Sequence, residues 1–242
     1  MTTSTNSTKH LSRSLKSLLI PIISFLVFSL CFFPIVLAGK ILLYFIAFDK
    51  FWHFLLIPFI LYIGIAIVVV SLLLISGVII RIFNIRYEPG MYEYTFKNKN
   101  SFKWIVICSL YTPCRKILEI FPMGKIKIVY YKLLGMKIGK NTLVGGVIKD
   151  PCLTEFGANV TMGEYACVYG HIHNMQKETI FMEKVRVGNN CVIGAGTFIM
   201  PGAIIQDDVT VAAGALVTKN QVLEKGKTYG GVPAKEIKKK NK

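Results

Sequence analysis

Acidic residues are scarce in this chain of 242 residues. It contains 13 Asp and Glu against 29 Lys and Arg, which gives a formal net charge of +16. This excess of positive charge excludes a strongly acidic binding surface on the chain as a whole. It predicts an anionic partner: nucleic acid, a membrane surface or a phosphate-bearing cosubstrate. Aromatic and basic residues alternate at 86–104, but this stretch follows a long apolar segment. A lipid surface explains that pattern more simply, so we expect no nucleic-acid partner.

The chain also lacks the common metal-binding motifs. Its six cysteines lie far apart without a CxxC pair, and no HExxH occurs. Of its four histidines, His10 lies in the polar N-terminal stretch and His53 in an apolar segment, so only His171 and His173 remain as a close pair. Two histidines without a third ligand are too few for a zinc site. We therefore expect no metal, and we expect buried, reduced cysteines.

Apolar residues, in contrast, are abundant. They make up 53% of the chain, and the mean hydropathy is +0.52. Two long apolar runs occur at 17–48 and at about 51–80. Each exceeds the roughly 20 residues that a helix needs to cross a bilayer. The very short link at Asp49-Lys50 predicts a transmembrane helical hairpin, with a kink at Pro34.

The distribution of positive charge orients this hairpin. The polar stretch 1–16, which we interpret as a disordered lead-in, carries three Lys or Arg, and Arg81 and Arg86 follow the hairpin. The link between the two runs holds only Lys50, against Asp49. The positive-inside rule therefore predicts that both termini, and everything after Arg81, lie in the cytoplasm.

Regularity is concentrated at 187–222, where an aliphatic residue opens each group of six. These openers are Val187, Ile193, Ile199, Ile205, Val211 and Val217. A helix repeats every 3.6 residues and a strand every two, so a period of six indicates a parallel β-solenoid of short strands and tight corners. The same register begins at Ile138 and continues to Val168. Val187 then comes 19 positions after Val168, one more than three hexads, which predicts one excursion from the solenoid.

The predicted excursion contains His171 and His173. An imidazole can act as a general base near neutral pH, for example to deprotonate a hydroxyl or amine that attacks a thioester. The plainer alternative is that both are ordinary surface-loop residues. Three carboxylates could orient a catalytic histidine, and the spacing selects none of them: Glu155, Glu164 and Glu178.

The hexads, the step VTK at 217–219 and the block GGVPAK at 230–235 occur together within 138–238. In these motifs the sequence resembles the hexapeptide-repeat acyltransferases, a family of trimeric left-handed parallel β-helices. The resemblance implies a mainly β fold with left-handed winding, a homotrimer and acetyl-CoA as cosubstrate. It implies a catalytic histidine on the loop, with His171 preferred over His173. The family positions that contact CoA correspond to Ala195, Ala213, Thr218, Lys219 and Lys238.

We therefore predict four regions. They are a lead-in at 1–16, a transmembrane hairpin at 17–86, a connector with interfacial or capping helices at 87–137, and the β-helix domain with its basic tail at 138–242. The predicted function is that of a membrane-anchored acyltransferase, most simply an acetyltransferase. Its acceptor would be a hydroxyl or amine of a sugar, or of a lipid-linked or surface-polysaccharide molecule. Two alternatives remain open: a non-catalytic membrane-tethered scaffold, and a γ-carbonic-anhydrase-like metalloenzyme, for which a third histidine is lacking.

Overall fold

The computed structural model describes residues 4–121 and 123–238, without the side chains of residues 4–15. It forms two compact units. The helical unit comprises the chain up to Ile85 together with Ile105–Ile126, and the solenoid unit comprises Arg86–Trp104 together with the chain from Lys127. The stretch predicted as a connector is thus not a unit of its own, because its two ends belong to the solenoid unit and its middle to the helical unit.

The helical unit begins with four helices, α1 (Ser4–Cys31), α2 (Phe33–Phe45), α3 (Phe51–Phe54) and α4 (Ile57–Ile82). By length and composition alone, Lys16–Phe45 and Phe51–Ile82 could each cross a membrane. The first of them is interrupted at Phe32, and Pro34 is the second residue of α2, where a missing backbone N–H leaves no hydrogen bond unmade. The helix therefore breaks beside the proline at which the kink is predicted.

Helix α1 begins inside the polar stretch for which the sequence predicts a disordered lead-in. Its backbone is helical from Ser4 onward, and residues 1–3 lie outside the described part of the chain. The physical reason is cooperativity. Once the apolar run has formed a helix, extending it by one residue adds a hydrogen bond without the cost of a new nucleus.

Helix α5 (Lys99–Ile120) lies within the stretch 87–137, for which the sequence predicts interfacial or capping helices. In the helical unit, Ser24 of α1 donates a hydrogen bond of 3.1 Å to Ser109 of α5. The hydroxyl of Ser76 in α4 lies 3.5 Å from the sulfur of Cys114. This part of α5 therefore packs on the two long apolar helices.

In the solenoid unit, β1 (Gly90–Glu93) comes first in the chain. Helix α6 (Gly124–Leu133), which belongs to this unit from Lys127 onward, leads into the first coil. Three sheets of parallel strands form the faces of a prism. The first sheet contains β2 (Lys137–Ile138), β5 (Thr154–Phe156), β10 (Val185–Val187), β13 (Ile204–Ile205) and β16 (Val222–Leu223). The second contains β3 (Leu143–Val144), β6 (Thr161–Met162), β11 (Val192–Ile193), β14 (Thr210–Val211) and β17 (Thr228–Gly230), with β18 (Lys235–Glu236) antiparallel at its edge. The third contains β4 (Val147–Ile148), β7 (Cys167–Val168), β12 (Phe198–Ile199) and β15 (Leu216–Val217).

The pairing of these strands shows that three hexads make one coil. Val192 pairs with Thr210 and Ile199 with Val217, in each case 18 residues further on. The fold is therefore a parallel β-helix. The description "mainly β" holds for this unit alone, since α1, α4 and α5 contain 28, 26 and 22 residues and the strands of a β-helix are short. Left-handed winding remains a prediction from the family resemblance.

The aliphatic openers fill the inside of the β-helix, as predicted. All six at 187–217 are at most 4% exposed. The corners need left-handed backbone, which Asn, Asp and Gly adopt at low cost. At one edge of the prism, Asn159, Asn190 and Asp208 have φ between 56° and 61°. The amides of the two asparagines each donate a 3.0 Å hydrogen bond to the next of these side chains, so the polar groups of successive coils satisfy one another.

The excursion between Val168 and Val187 is a β-hairpin, which confirms the predicted interruption. Its strands are β8 (His171–Asn174) and β9 (Thr179–Met182). Strand β1 adds to the free edge of β9 as a third, antiparallel strand. The segment that precedes the β-helix therefore lies beside the two histidines.

Candidate active site

His171 is the first residue of β8, at the point where the chain leaves the β-helix. Its Nδ1 atom lies 2.8 Å from Oδ1 and 2.7 Å from Oδ2 of Asp150. The side chain of Asp150 is fully buried, and that of His171 is 15% exposed. A carboxylate at Nδ1 favours the tautomer that carries its proton there and leaves the Nε2 lone pair free. The pair thus has the geometry of a histidine base with an orienting carboxylate.

Asp150 is itself held by several donors. Its Oδ1 accepts a 2.6 Å hydrogen bond from the Tyr87 hydroxyl, its Oδ2 accepts one of 2.7 Å from the Gly170 N–H, and its backbone oxygen accepts one of 2.9 Å from Thr154. Burial by itself raises the pKa of this carboxyl. The hydrogen bond and charge of His171, followed by the Tyr87 and Gly170 donors, outweigh burial and lower the pKa below its ordinary value. Asp150 is therefore ionised at neutral pH.

Asp150 occupies the orienting position for which the sequence analysis offers three glutamates. Glu155 pairs instead with Lys137 at 3.0 Å, and Glu164 and Glu178 are exposed. The signal that points to Asp150 is its register, because it falls on a hexad opener, where the chain otherwise places an inward-facing aliphatic residue. A carboxylate in such a position needs a buried partner.

Aromatic rings lie beside the two histidines. The ring of Trp104 is 4.8 Å from those of both His171 and His173, measured between centroids, and the ring of Tyr94 is 4.8 Å from that of His173. Two buried atoms of this cluster, Trp104 Nε1 and His173 Nδ1, have no hydrogen-bond partner within 4–121 and 123–238. Burial lowers the pKa of His173, and the neighbouring His171 lowers it further, so His173 is neutral near pH 7.

Tyr87, Tyr94 and Trp104 are site residues that the sequence analysis misses. They belong to the stretch 86–104, whose aromatic and basic residues it assigns to a lipid surface. The pairing of β1 with β9 brings this stretch to the histidines, and it joins residues as distant as Met91 and Phe181. No spacing within the stretch indicates so distant a strand pairing.

Two comparisons with known proteins decide the family. Residues 184–219 match the family described as "Bacterial transferase hexapeptide (six repeats)". The chain is also 33% identical over 119 residues to "Putative acetyltransferase YvoF" of Bacillus subtilis (strain 168), a match that covers 48% of this chain and 67% of that protein. The chain belongs to the bacterial hexapeptide-repeat transferase family. The resemblance predicted from the motifs is thereby confirmed.

Two other similar proteins carry different names. "Gamma carbonic anhydrase 2, mitochondrial" of Arabidopsis thaliana is 28% identical over 102 residues, which cover 42% of this chain and 30% of that protein. Among solved structures, a maltose O-acetyltransferase from Clostridium difficile 630 is 20% identical with a TM-score of 0.40, and the match covers 54% of this chain and 86% of that chain. Because the Bacillus and Arabidopsis relatives are named for different reactions, the reaction of this hexapeptide-repeat transferase has to be argued from its site.

Two of the residues predicted to contact CoA form a strip of small residues along one edge of the prism. Ala195 and Ala213 occupy equivalent corners of successive coils and are both exposed. The N–H of Gly214 donates a 2.8 Å hydrogen bond to the backbone oxygen of Ala195, and a Cβ added to Gly194 would lie 2.3 Å from the nitrogen of Ala213. The coils are therefore in close contact here, and the edge presents little more than backbone to a ligand.

The next edge of the prism carries the hairpin and Lys219. The Lys219 Nζ atom lies 3.5 Å from the centre of the Phe181 ring in β9, a cation–π contact. Thr218 precedes it and bonds to Gln221, whose Oε1 accepts from the Thr218 N–H at 2.8 Å and from its hydroxyl at 3.1 Å. Lys238 is exposed and is the last residue described.

The five residues predicted to contact CoA are thus not all near the histidines of the same chain. Lys219 contacts the hairpin that carries His171 and His173. Ala195 and Ala213 lie at the other edge of the third sheet, since β12 and β15 run between the two edges. Within one copy of the chain, the strip of small residues and the histidine base therefore face different edges.

Proposed function

We propose that this chain is a membrane-anchored acetyltransferase. It moves an acetyl group from acetyl-CoA to a hydroxyl or amine of a sugar, or of a lipid-linked or surface-polysaccharide acceptor. The observation that carries the proposal is the buried Asp150–His171 pair where the hairpin leaves the β-helix. The similarity of the chain to YvoF supports acetyl transfer as the reaction.

The pair supplies the proton transfer that this reaction needs. Nε2 of His171 accepts the proton of the acceptor hydroxyl or amine while the acceptor oxygen or nitrogen attacks the carbonyl carbon of the thioester. The tetrahedral intermediate then collapses, the carbon–sulfur bond breaks, and the proton passes from Nε2 to the CoA sulfur. Asp150 stays ionised throughout and stabilises the imidazolium that forms between the two steps. Acetylated acceptor and free CoA are the products, and the base is regenerated.

His173 and Trp104 provide a place for the acceptor. His173 is neutral, so its unpartnered Nδ1 can share a hydrogen bond with an uncharged hydroxyl, and Trp104 Nε1–H can donate one. Buried polar groups without a partner are costly, and a ligand is one way of supplying the missing bonds. We assign His171 as the base and His173 as an acceptor-binding residue, because of these two histidines it is His171 whose Nδ1 lies against a buried carboxylate.

Acetyl-CoA would lie along the strip formed by Ala195 and Ala213, with Thr218 near the pantetheine arm and Lys219 and Lys238 near the phosphates. The strip and the histidines face different edges of one chain, so a complete site needs a second copy whose edge meets the hairpin. A homotrimer of β-helices provides three such sites. The mass of the detergent-solubilised protein tests this, and a monomer with full activity contradicts it.

The apolar helices support the membrane anchor. Large apolar side chains on them are exposed, including Leu43 (68%), Phe45 (77%), Phe51 (83%) and Phe59 (68%). Such a surface is stable in hydrocarbon and not in water. The positive-inside rule supports a cytoplasmic position for both termini and the β-helix.

The decisive experiment compares His171→Gln with His173→Gln, with His53→Gln in the helical unit as the control histidine. Turnover is followed with labelled acetyl-CoA in a membrane extract, which also identifies the acceptor. Loss of the base lowers the rate about 10²–10⁴-fold, loss of His173 raises the acceptor KM, and His53→Gln leaves turnover unchanged. Full turnover in His171→Gln while CoA still binds would overturn the assignment of the base.

Two other functions make different predictions. A non-catalytic scaffold predicts no acetyl-CoA turnover and no effect of either histidine. A γ-carbonic-anhydrase-like enzyme, suggested by the Arabidopsis relative, predicts stoichiometric zinc. In the described parts of the chain, no three His, Cys, Asp or Glu side chains cluster as a metal site, and all six cysteines are free thiols. Zinc analysis of the purified protein tests this alternative.

A further inference from the structure

Tyr87 enters the site from outside the repeats. It lies three residues before β1 and is 2% exposed. Its hydroxyl donates the 2.6 Å hydrogen bond to Asp150 Oδ1, and the same oxygen lies 2.8 Å from His171 Nδ1. Tyr87 and His171 therefore share the charge of one carboxylate oxygen.

We propose that Tyr87 is a positioning residue of the acyl-transfer site, the outer member of a Tyr87–Asp150–His171 chain of hydrogen bonds. The inference rests on the proposed function, in which His171 is the base. Tyr87 does not contact either substrate in this scheme. It acts through Asp150, by fixing the plane of the carboxylate and by drawing part of its negative charge away from the imidazole.

The second effect has a definite sign. A hydrogen bond from a hydroxyl to a carboxylate is charge-assisted, and it is strongest when the carboxylate carries an uncompensated charge, that is, when His171 is neutral. Tyr87 thus stabilises the neutral, basic form of the histidine relative to the imidazolium. Without the hydroxyl, more charge remains on the oxygens that face Nδ1, and His171 keeps its extra proton to higher pH.

A simpler role for Tyr87 is packing, since its ring is buried. The variant Tyr87→Phe separates the two roles, because it keeps the ring and removes only the hydroxyl. If Tyr87 only packs, the variant can change thermal stability but leaves the titration of His171 where it is. A positioning residue moves that titration in the stated direction.

The test uses the full chain in detergent, with Tyr92→Phe as the matched control. Tyr92 is in β1, close to Tyr87 in sequence, and its hydroxyl donates a 2.9 Å hydrogen bond to the backbone oxygen of Pro89 instead of to the site. Two quantities are measured for each protein: the pH profile of kcat/KM, and the titration of the imidazole Cε1–H signals in histidine-labelled protein. The chain has four histidines, and the His171 signal is the one missing from His171→Gln.

For Tyr87→Phe we expect the acid limb of the profile and the His171 signal to move together to higher pH by roughly 0.5–1 unit. For Tyr92→Phe we expect neither to move. An unchanged profile and titration in Tyr87→Phe overturn the positioning role, and so does an equal shift in Tyr92→Phe. A shift toward lower pH also overturns it.

Failure of this inference and failure of the proposed function give different results. Full turnover in His171→Gln removes the base role, and with it the proposed function, whatever Tyr87→Phe shows. If His171→Gln loses most of its turnover while Tyr87→Phe keeps the wild-type pH profile and imidazole titration, the proposed function stands and only the role of Tyr87 is removed. The imidazole titration needs no acceptor, so it can be measured before the substrate is known.

Discussion

The regular coils at 187–222 and the excursion at 169–186 satisfy their polar groups in different ways. In the coils, aliphatic openers are buried, and the polar side chains of Asn190 and Asp208 bond to each other along an exposed edge. Where the excursion leaves the β-helix, the carboxylate of Asp150 is charged and fully buried, and it bonds to His171 of the excursion and to Tyr87 from before the β-helix. Close by, Trp104 Nε1 and His173 Nδ1 are buried and have no hydrogen-bond partner among the residues that the structure describes.

The difference shows what each region contributes. A coil needs only its neighbours, so its interactions repeat and no single polar group is special. The excursion departs from that repeat and gains a third strand from outside the β-helix, which creates an environment that no coil has. A buried charge with a histidine partner is stable only where several donors converge on it. That convergence is the strongest evidence that the chemistry lies there.

The largest effect is expected from neutralising the buried carboxylate. Asp150→Asn preserves shape but removes the charge that stabilises the imidazolium, and its amide can present N–H to Nδ1 and favour the wrong tautomer. We expect kcat to fall by about 10²–10⁴, measured by steady-state turnover. The matched change in a coil is Asp207→Asn, since Asp207 accepts a 2.6 Å hydrogen bond from the Asn189 N–H at a corner. If both variants lose activity equally, the two regions do not differ as argued.

The coils should instead respond through stability. Ile199 is completely buried, and Ile199→Ala is expected to lower the free energy of unfolding by about 2–5 kcal/mol, because it leaves a cavity between stacked coils. Val222 lies on the outer face at 48% exposed, and Val222→Ala should cost much less. Denaturant unfolding of the full chain in detergent measures both. Folded Ile199→Ala should keep its turnover, and a loss of kcat without a loss of stability would place the coil interior in the catalytic machinery.

The next smaller effect concerns the unpartnered indole. Trp104→Phe removes the Nε1–H and keeps an aromatic ring beside the histidines. If that N–H binds the acceptor, the acceptor KM rises about tenfold, the loss of one hydrogen bond, while the thermal unfolding midpoint of the free protein does not fall. Trp52, 53% exposed in α3, is the other tryptophan of the chain, and Trp52→Phe should change neither quantity. A lower midpoint with an unchanged KM would mean that Trp104 only packs.

The same contrast explains how far the sequence predicts the structure. The period of six identifies the coils because each opener is buried by its own repeat, and the phase break locates His171 and His173. In the sequence, Asp150 stands out only as a charged residue at an opener position. No pattern in the sequence around Tyr87 indicates a role in the site. Its role depends on strand β1 pairing with β9, about 90 positions away, and on the donors that meet at one carboxylate. Local pattern cannot report contacts that tertiary structure creates between distant segments.

The smallest effect is the pH dependence of stability that His173 introduces. Burial lowers its pKa below the ordinary value, with His171 lowering it further and Asp150 opposing this. The unfolded chain then binds a proton more readily than the folded one once the pH falls below about 6.5. The stabilisation that comes from neutral His173 is complete above that pH. It is lost as the pH falls toward the pKa of His173 in the folded protein.

Between pH 7.5 and pH 5.5, the thermal unfolding midpoint of His173→Gln should therefore fall by less than that of the wild-type protein, roughly one or two degrees less. Asp150 titrates below its ordinary value and outside this window, and His171 is present in both proteins, so their difference isolates His173. An identical slope in the two proteins would show that His173 takes up its proton as easily in the fold as in water, and the excursion would then be no less hydrated than a corner of the coils.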